Sequence, residues 1–412
     1  MKGMFLIYII RILIELEGII MLKKEVVIGM AGAGYGARLH CEGYKKISSV
    51  NVRLKTICDV LEEKGMEIKE IYNFEQVETD FDRMLKDPEI DVIDIVTPPF
   101  IHKEMIIKAL DAGKHVICEK PLIGYFGKPD DVKPIGKKVS KEKMYKEVLL
   151  GLEELKAAID RNNQKFMYAE NYVYAPSIQK SVEILKNKNS KVLFLKGEES
   201  LKGSSSPVAG EWDKTGGGSL IRVGSHPLAG VLYIKKEEAK YRNVDIEIES
   251  IVADMGQITN NLSEEEMPYH SIRINDVEDF ANVSITFTDG SKAIVMASDT
   301  VLGGTKNYVE IYSNNAVMMN NLTPTDALNV YMLDNEGMDD IKFSEMLPST
   351  VGWNKAFIAD EILRGFTDEL IDFMESIAFD REPLSDFKLA YDTTKAIYAA
   401  YLSYESNERI FY

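Results

Sequence analysis

The sequence predicts an α/β protein of two domains, the first built on a doubly wound parallel sheet and the second rich in strands. Three observations predict it. Between Lys24 and Pro121, short apolar runs (EVVIGMA, VRLKTIC, DVIDIV, HVIC) alternate with polar helix-like stretches, the pattern of strands covered on both faces. The first run ends in a glycine-rich turn that opens directly into a helix. From KVLFLKGEES onward, strand-like stretches follow one another with turn residues between them, and TDGSK reads as a hairpin turn.

Along the chain, the opening stretch MKGMFLIYIIRILIELEGII is apolar but interrupted by Arg11, Glu15 and Glu17, which makes a poor membrane span. It also lacks the small-residue cleavage site of a secretion signal. Residues 1–22 are expected to be an extension ahead of a start at Met21, with a peripheral anchor as the alternative. Residues 23–170 are expected to form a dinucleotide-binding domain, with an insertion at about 123–145, and residues 171–412 a second domain for substrate binding and oligomerisation.

The first strand-to-helix turn reads Gly32-Ala33-Gly34-Tyr35-Gly36-Ala37, a GxGxxA. Such glycines let the backbone turn sharply and approach a pyrophosphate at the positive end of the following helix. Asp59 ends the second strand, 27 positions after Gly32, where a carboxylate can accept the ribose hydroxyls and would repel a 2′-phosphate. Val60 and Leu61 offer no guanidinium for such a phosphate, so NAD is expected over NADP. A nucleotide-free doubly wound domain is the plain alternative. In TPPFIH, Thr97 and Pro98 end a strand at the sheet's carboxyl edge, where ligands bind in such folds, with His102 just beyond. In CEKPL, Glu119 and Lys120 follow an apolar strand directly. An ammonium there is costly without a task or a partner, and catalysis and an ion pair with Glu119 are equally open.

Composition narrows the classes. A net charge of −17 over 412 residues argues against nucleic-acid or anionic-membrane partners. Cys41, Cys58 and Cys118 are too few and too scattered for a disulfide framework or a zinc site, and fit a reducing cytoplasm. The five histidines (His40, His102, His115, His226, His270) show no pair at ligand spacing, so no metal is expected.

The motifs GAGYGARLH, the acid Asp59, DVIDIVTPPFIH, AGKHVICEKPL and GGGSLIRVGSH occur in that order. Together they resemble the Gfo/Idh/MocA family of nicotinamide-dependent oxidoreductases, from about residue 24 to a closing helix at YAAYLSYESNERI. The resemblance implies a Rossmann domain followed by an α/β domain with a large, open-faced, mostly antiparallel sheet, through which copies pair into a homodimer or homotetramer. It also implies that Lys120 lies beside the nicotinamide and the reacting hydroxyl, and that His226 transfers the proton. Glu119 and His102 join the cofactor set on the same ground. A capping or core histidine is the plain alternative for His226, since Gly224, Ser225 and Pro227 also make a turn.

The sequence departs from the family pattern in two places. Where many members carry aspartate four residues before the histidine, this chain has Arg222, and Ala229 replaces a second aspartate. If 219–226 is helical, Arg222 and His226 share a face. Arg222 is either a clamp for a substrate carboxylate or the partner of a nearby acid, with Glu198, Glu199 and Glu170 as candidates. The Gly-, Pro- and Lys-rich insertion is either a lid or subunit contact, or a solvated excursion. In YAENYVYAP, Glu170, Asn171, Tyr172 and Tyr174 are candidate contacts to a polyhydroxylated ligand. The function expected is an NAD-dependent oxidoreductase acting on a secondary alcohol of a sugar, glycoside, sugar acid or cyclitol. The alternatives are redox-neutral NAD-assisted glycoside cleavage and a non-catalytic dinucleotide-binding regulator.

Overall fold

The computed structural model describes residues 24–323, 328–334, 351–356 and 360–412. The expectation for residues 1–22 lies outside them. The first sheet has six strands: β1 (Glu25–Ala31), β2 (Asn51–Cys58), β3 (Gln76–Glu78), β4 (Val92–Ile95), β5 (His115–Glu119) and β6 (Phe166–Ala169). Their order is β3-β2-β1-β4-β5-β6, and every pairing is parallel. This is the doubly wound order whose reversal between β1 and β4 opens a crevice at the strand ends. Helices α1 (Tyr35–Tyr44), α2 (Glu62–Tyr72), α3 (Phe81–Leu85), α4 (His102–Asp111) and α5 (Lys141–Asp160) make the crossovers. The strand β4 is buried throughout, which makes its one charged residue, Asp94, conspicuous.

After α6 (Pro176–Asn187) comes β7 (Val192–Leu201), and a long helix, α7 (Ser225–Arg242), precedes β8 (Ile248–Gly256). Strands β9 (Phe280–Phe287), β10 (Lys292–Ser298), β11 (Thr305–Ser313) and β12 (Val317–Asn321) follow. The second sheet runs β12-β11-β7-β10-β9-β8-β15, where β15 is Ile410–Phe411. All its pairings are antiparallel except β7 with β10. A separate two-stranded ribbon joins β13 (Leu328–Met332) to β14 (Gly352–Ala356).

The expected boundary at residue 170 separates the two sheets but not their cores. Helices α8 (Phe366–Ala378) and α9 (Phe387–Ser406) return to the first domain, α8 packing on α1 and α9 on α5. A Cβ on Gly43 of α1 would lie 2.4 Å from Leu370 Cδ1 of α8, so the glycine lets that side chain seat directly on α1. One continuous apolar cluster therefore runs from Val26 in β1 to Tyr401 in α9.

The insertion at 123–145 is a packed strap, neither a free lid nor a solvated excursion. Tyr125, Ile135 and Val139 are buried in it. The Trp212 indole donates to the Tyr125 carbonyl at 3.0 Å, and the Gly136 amide donates to Asp276 at 2.8 Å. These bonds tie the strap to the second domain. Lys and Gly suggested solvent in the sequence; the apolar residues between them decide the packing.

Candidate active site

The crevice between β1 and β4 holds a cavity of about 600 Å³, lined by Gly32, Gly34, Asp59 and Thr97 among others. Gly32 has φ +101°, and a Cβ there would meet the Val96 carbonyl oxygen at 2.9 Å. Its glycine is required by backbone conformation and by close approach. Gly34 is different: a Cβ there would meet nothing within 4 Å. The exposed Gly34 backbone thus borders open groove, which a side chain would fill. It caps α1 without a side-chain hydrogen bond, and the first turn of α1 carries no acid. The amides at that helix end are available to an anion. Ala33 donates its amide to Asp59 Oδ2 at 2.8 Å, and Leu61 donates to Oδ1 at 2.9 Å, which fixes the carboxylate at the groove wall. Tyr35 and Pro98 are exposed near this turn, Gly36 abuts Val96, and Ala37 is wholly buried in the core. These features fit a dinucleotide, with Gly34 toward the pyrophosphate and Asp59 toward the ribose.

The second cluster forms where the domains meet. Lys120 Nζ donates to the backbone carbonyl of Arg222 at 2.7 Å, one turn ahead of His226. Glu119 lies among three basic groups: burial works to raise its carboxyl, but His40, Lys120 and His226 outweigh it and hold it below the usual value. His226 is buried, and its Nδ1 lies 2.7 Å from Glu170 Oε1. The Tyr172 ring stacks on the imidazole at 5.3 Å between centroids, inclined by 20°. A carboxylate on Nδ1 fixes the ring and places the lone pair on Nε2, for which the described residues provide no protein partner.

Several expected roles are corrected. Arg222 lies in a π-helical turn, Leu220–Gly224, that leads into α7, and its side chain turns to a partner other than His226. Its guanidinium forms a two-pronged pair with Asp299, at 3.0 and 3.1 Å. None of Glu198, Glu199 or Glu170 is its partner. Burial pushes the Asp299 carboxyl up to about 6, with Arg222 opposing. Glu170 serves His226 from inside the fold and is completely buried. Tyr172 donates to Glu199 at 2.8 Å, so its hydroxyl is also committed. Asn171 donates to the Arg364 carbonyl, and Tyr174 to Asp372 at 2.8 Å. All four are buried and committed to protein partners, and Glu170 and Tyr172 hold the imidazole. His102 is likewise no cofactor contact. Its ring is buried between two carbonyl oxygens, Thr97 at 2.8 Å and Pro121 at 3.0 Å, and so links the two loops at the strand ends. Burial pulls its pKa down.

The glycines of GGGSLIRVGSH answer to packing. A Cβ on Gly218 would lie 1.8 Å from the Glu278 carbonyl oxygen, and one on Gly217 2.1 Å from the Tyr401 hydroxyl. The buried Glu278 carboxylate accepts from the amides of Gly218 and Leu220 and from Tyr401, each at 2.9 Å. Burial nevertheless pushes its carboxyl up to about 7. Asp299 and Glu278 escaped the sequence reading. Asp299 follows an apolar strand directly, the same signal that drew attention to Lys120, whereas nothing in the spacing marks Glu278.

A two-domain architecture with a dinucleotide groove and a cation–imidazole corner beside it defines a class of nucleotide-dependent proteins. Residues 26–148 match the Gfo/Idh/MocA family, described as an oxidoreductase family with an NAD-binding Rossmann fold. Levoglucosan dehydrogenase of Pseudarthrobacter phenanthrenivorans is 35% identical over 102 residues, 23% of this chain and 26% of that protein. Myo-inositol 2-dehydrogenase of Thermotoga maritima is 35% identical over 95 residues, 23% of this chain and 28% of its own length. The matches thus span less than a third of these relatives. The solved structure of GenD2 from gentamicin A biosynthesis, in complex with NAD, has a TM-score of 0.73 at 19% identity, covering 94% of this chain and 97% of that one. That likeness shows the fold over both domains. No helix among the described residues is long and apolar enough to cross a membrane.

Proposed function

We propose that the protein is an NAD-dependent oxidoreductase that removes hydride from a secondary alcohol of a neutral, polyhydroxylated compound, such as a sugar or cyclitol. The observation that carries this is the convergence of Lys120 and the Glu170–His226 pair at one corner, Lys120 being held by the carbonyl one turn before the histidine. NAD, when bound, supplies the hydride acceptor. The chain's own residues handle the proton. Glu170 on Nδ1 leaves Nε2 of His226 to take the hydroxyl proton, and the Lys120 ammonium stabilises the alkoxide as charge develops. Neutral substrates are preferred in this reading because Arg222 is already neutralised by Asp299. A carboxylate substrate would have to break that pair. The names of the two dehydrogenase relatives point to the same substrate class.

The test is NADH formation against a panel of polyols, neutral sugars, uronates and glycosides, beside Lys120→Ala and His226→Asn controls. Turnover of neutral alcohols that both substitutions abolish supports the reading. Bound NAD with no NADH from any of them removes it. The open face of the second sheet is part of the proposal as the contact between copies. Sedimentation of the purified chain as a monomer would remove that part.

A further inference from the structure

Next to Lys120 lies a buried cluster that the proton and hydride steps leave unused. His40, on α1, is 1% exposed and touches two carboxylates. Its Nδ1 lies 2.8 Å from Asp94 Oδ2, and its Nε2 lies 3.3 Å from Glu119 Oε1. Asp94 also accepts from the Tyr44 hydroxyl at 2.7 Å, and Glu119 Oε2 accepts from the Lys120 amide at 2.9 Å. A neutral imidazole carries one N–H and one lone pair, so one of these contacts would set a lone pair against a carboxylate oxygen. Only the imidazolium donates to both. Each carboxylate in turn is aimed at donors: Asp94 at His40 and Tyr44, Glu119 at His40 and the Lys120 amide. That is the arrangement of two ionised acids around one cation.

The remaining groups around His40 agree. Cys41 and Tyr44 on its own helix are both pushed up by burial and stay neutral. Glu369, brought in by α8, is 1% exposed, its Oε2 has no hydrogen-bond partner, and burial holds its carboxyl well above the usual range. For His40 itself burial works to lower the pKa, but Asp94 and Glu119 outweigh it and raise it.

We propose that His40 is a positioning residue for the reaction: an imidazolium clamped between Asp94 and Glu119 that keeps Glu119 an oriented carboxylate, and so fixes the Lys120 ammonium beside His226. This rests on Lys120 and His226 being the reacting pair. Without the His40 charge, a buried Glu119 would take up a proton and lose its hold on the cations around it.

Two measurements test it. In His40→Asn, which keeps a donor toward Asp94 but does not reach Glu119, the acidic limb of the kcat/KM profile is expected to move up by about one pH unit or more. NAD affinity is expected to stay within about two-fold, since the groove is built from other residues. A lower kcat with an unmoved limb would mean a purely structural histidine and would overturn the role. The second measurement needs no turnover or substitution: long-range 1H–15N spectra of ring-labelled wild-type protein. They are expected to show the assigned His40 ring with both nitrogens protonated from about pH 6 to about pH 9. A neutral tautomer for His40 at pH 7 overturns the proposal whatever the kinetics show. A chain that oxidises no alcohol while keeping that imidazolium signal instead removes the hydride-transfer reading, and the reaction role with it.

Discussion

The nucleotide groove and the catalytic corner sit side by side but are built in opposite ways. The groove is made of backbone: a glycine at φ +101°, a helix end without a side-chain cap, and a carboxylate pinned by two amides. Nearly all of it comes from neighbouring strand–helix turns. The corner is made of side chains from distant segments. His226 meets Glu170 across 56 positions, Arg222 meets Asp299 across 77, and Lys120 meets Arg222 across 102. A backbone site tolerates change around it and fails where a side chain intrudes. A side-chain site fails when any one partner is lost.

Four substitutions turn that contrast into measurements. Lys120→Ala is expected to lower kcat by roughly 10³-fold while leaving NAD affinity unchanged, as for loss of one preorganised charge at a developing oxyanion. Titration calorimetry with NAD beside steady-state rates separates the two, and a parallel loss of affinity would merge the sites that the structure keeps apart.

Glu278 gives the next effect, on stability. Its carboxyl is raised in the fold to about 7 from an ordinary value near 4.5. The folded state therefore holds the proton more tightly than the unfolded chain. The associated stability is fully present below about pH 4.5 and is lost as pH rises through about 7, about 3 kcal/mol for a shift of this size. Denaturant melts from about pH 4.5 to about pH 8 should show a shallower decline in Glu278→Gln than in the wild type. Identical slopes would mean that the three donors around the carboxylate keep it ionised throughout.

Glu170→Gln removes the charge behind the imidazole and is expected to cost about 100-fold in kcat/KM, with little change in NAD affinity. A loss below about three-fold would mean that Tyr172 and the buried scaffold hold the ring without the carboxylate. The smallest effect belongs to the groove. A Cβ at Gly34 meets no protein atom within 4 Å, so melting of Gly34→Ala should be unchanged, while NAD affinity falls by about 10-fold. Unchanged affinity would move the pyrophosphate away from this turn.

The same contrast explains what the sequence could disclose. The groove was legible because its determinants are local: the GxGxxA turn, the acid ending the second strand, and the alternation of apolar runs with helices each occupy a few dozen consecutive residues. Lys120 stood out by its place after an apolar strand and by the family resemblance, His226 by the resemblance alone. Their partners did not. With so many acids in the chain, charge alone offered three candidates for Arg222, and the structure chose a fourth, Asp299, placed by the pairing of β10 with β7. The tyrosines of YAENYVYAP read as ligand contacts because strand-end aromatics often are. Here helix α8 covers Tyr174, donated to Asp372, and turns that segment into core.

The return of α8 also sets an order of assembly. Leu370 seats on Gly43, and Glu369 enters the cluster around His40. A growing chain makes β1 to β6 well before the helix that closes over them leaves the ribosome. The nucleotide half is thus begun long before it is closed. Stalled or truncated translation would yield a Rossmann sheet with an open apolar flank, a target for proteases and chaperones.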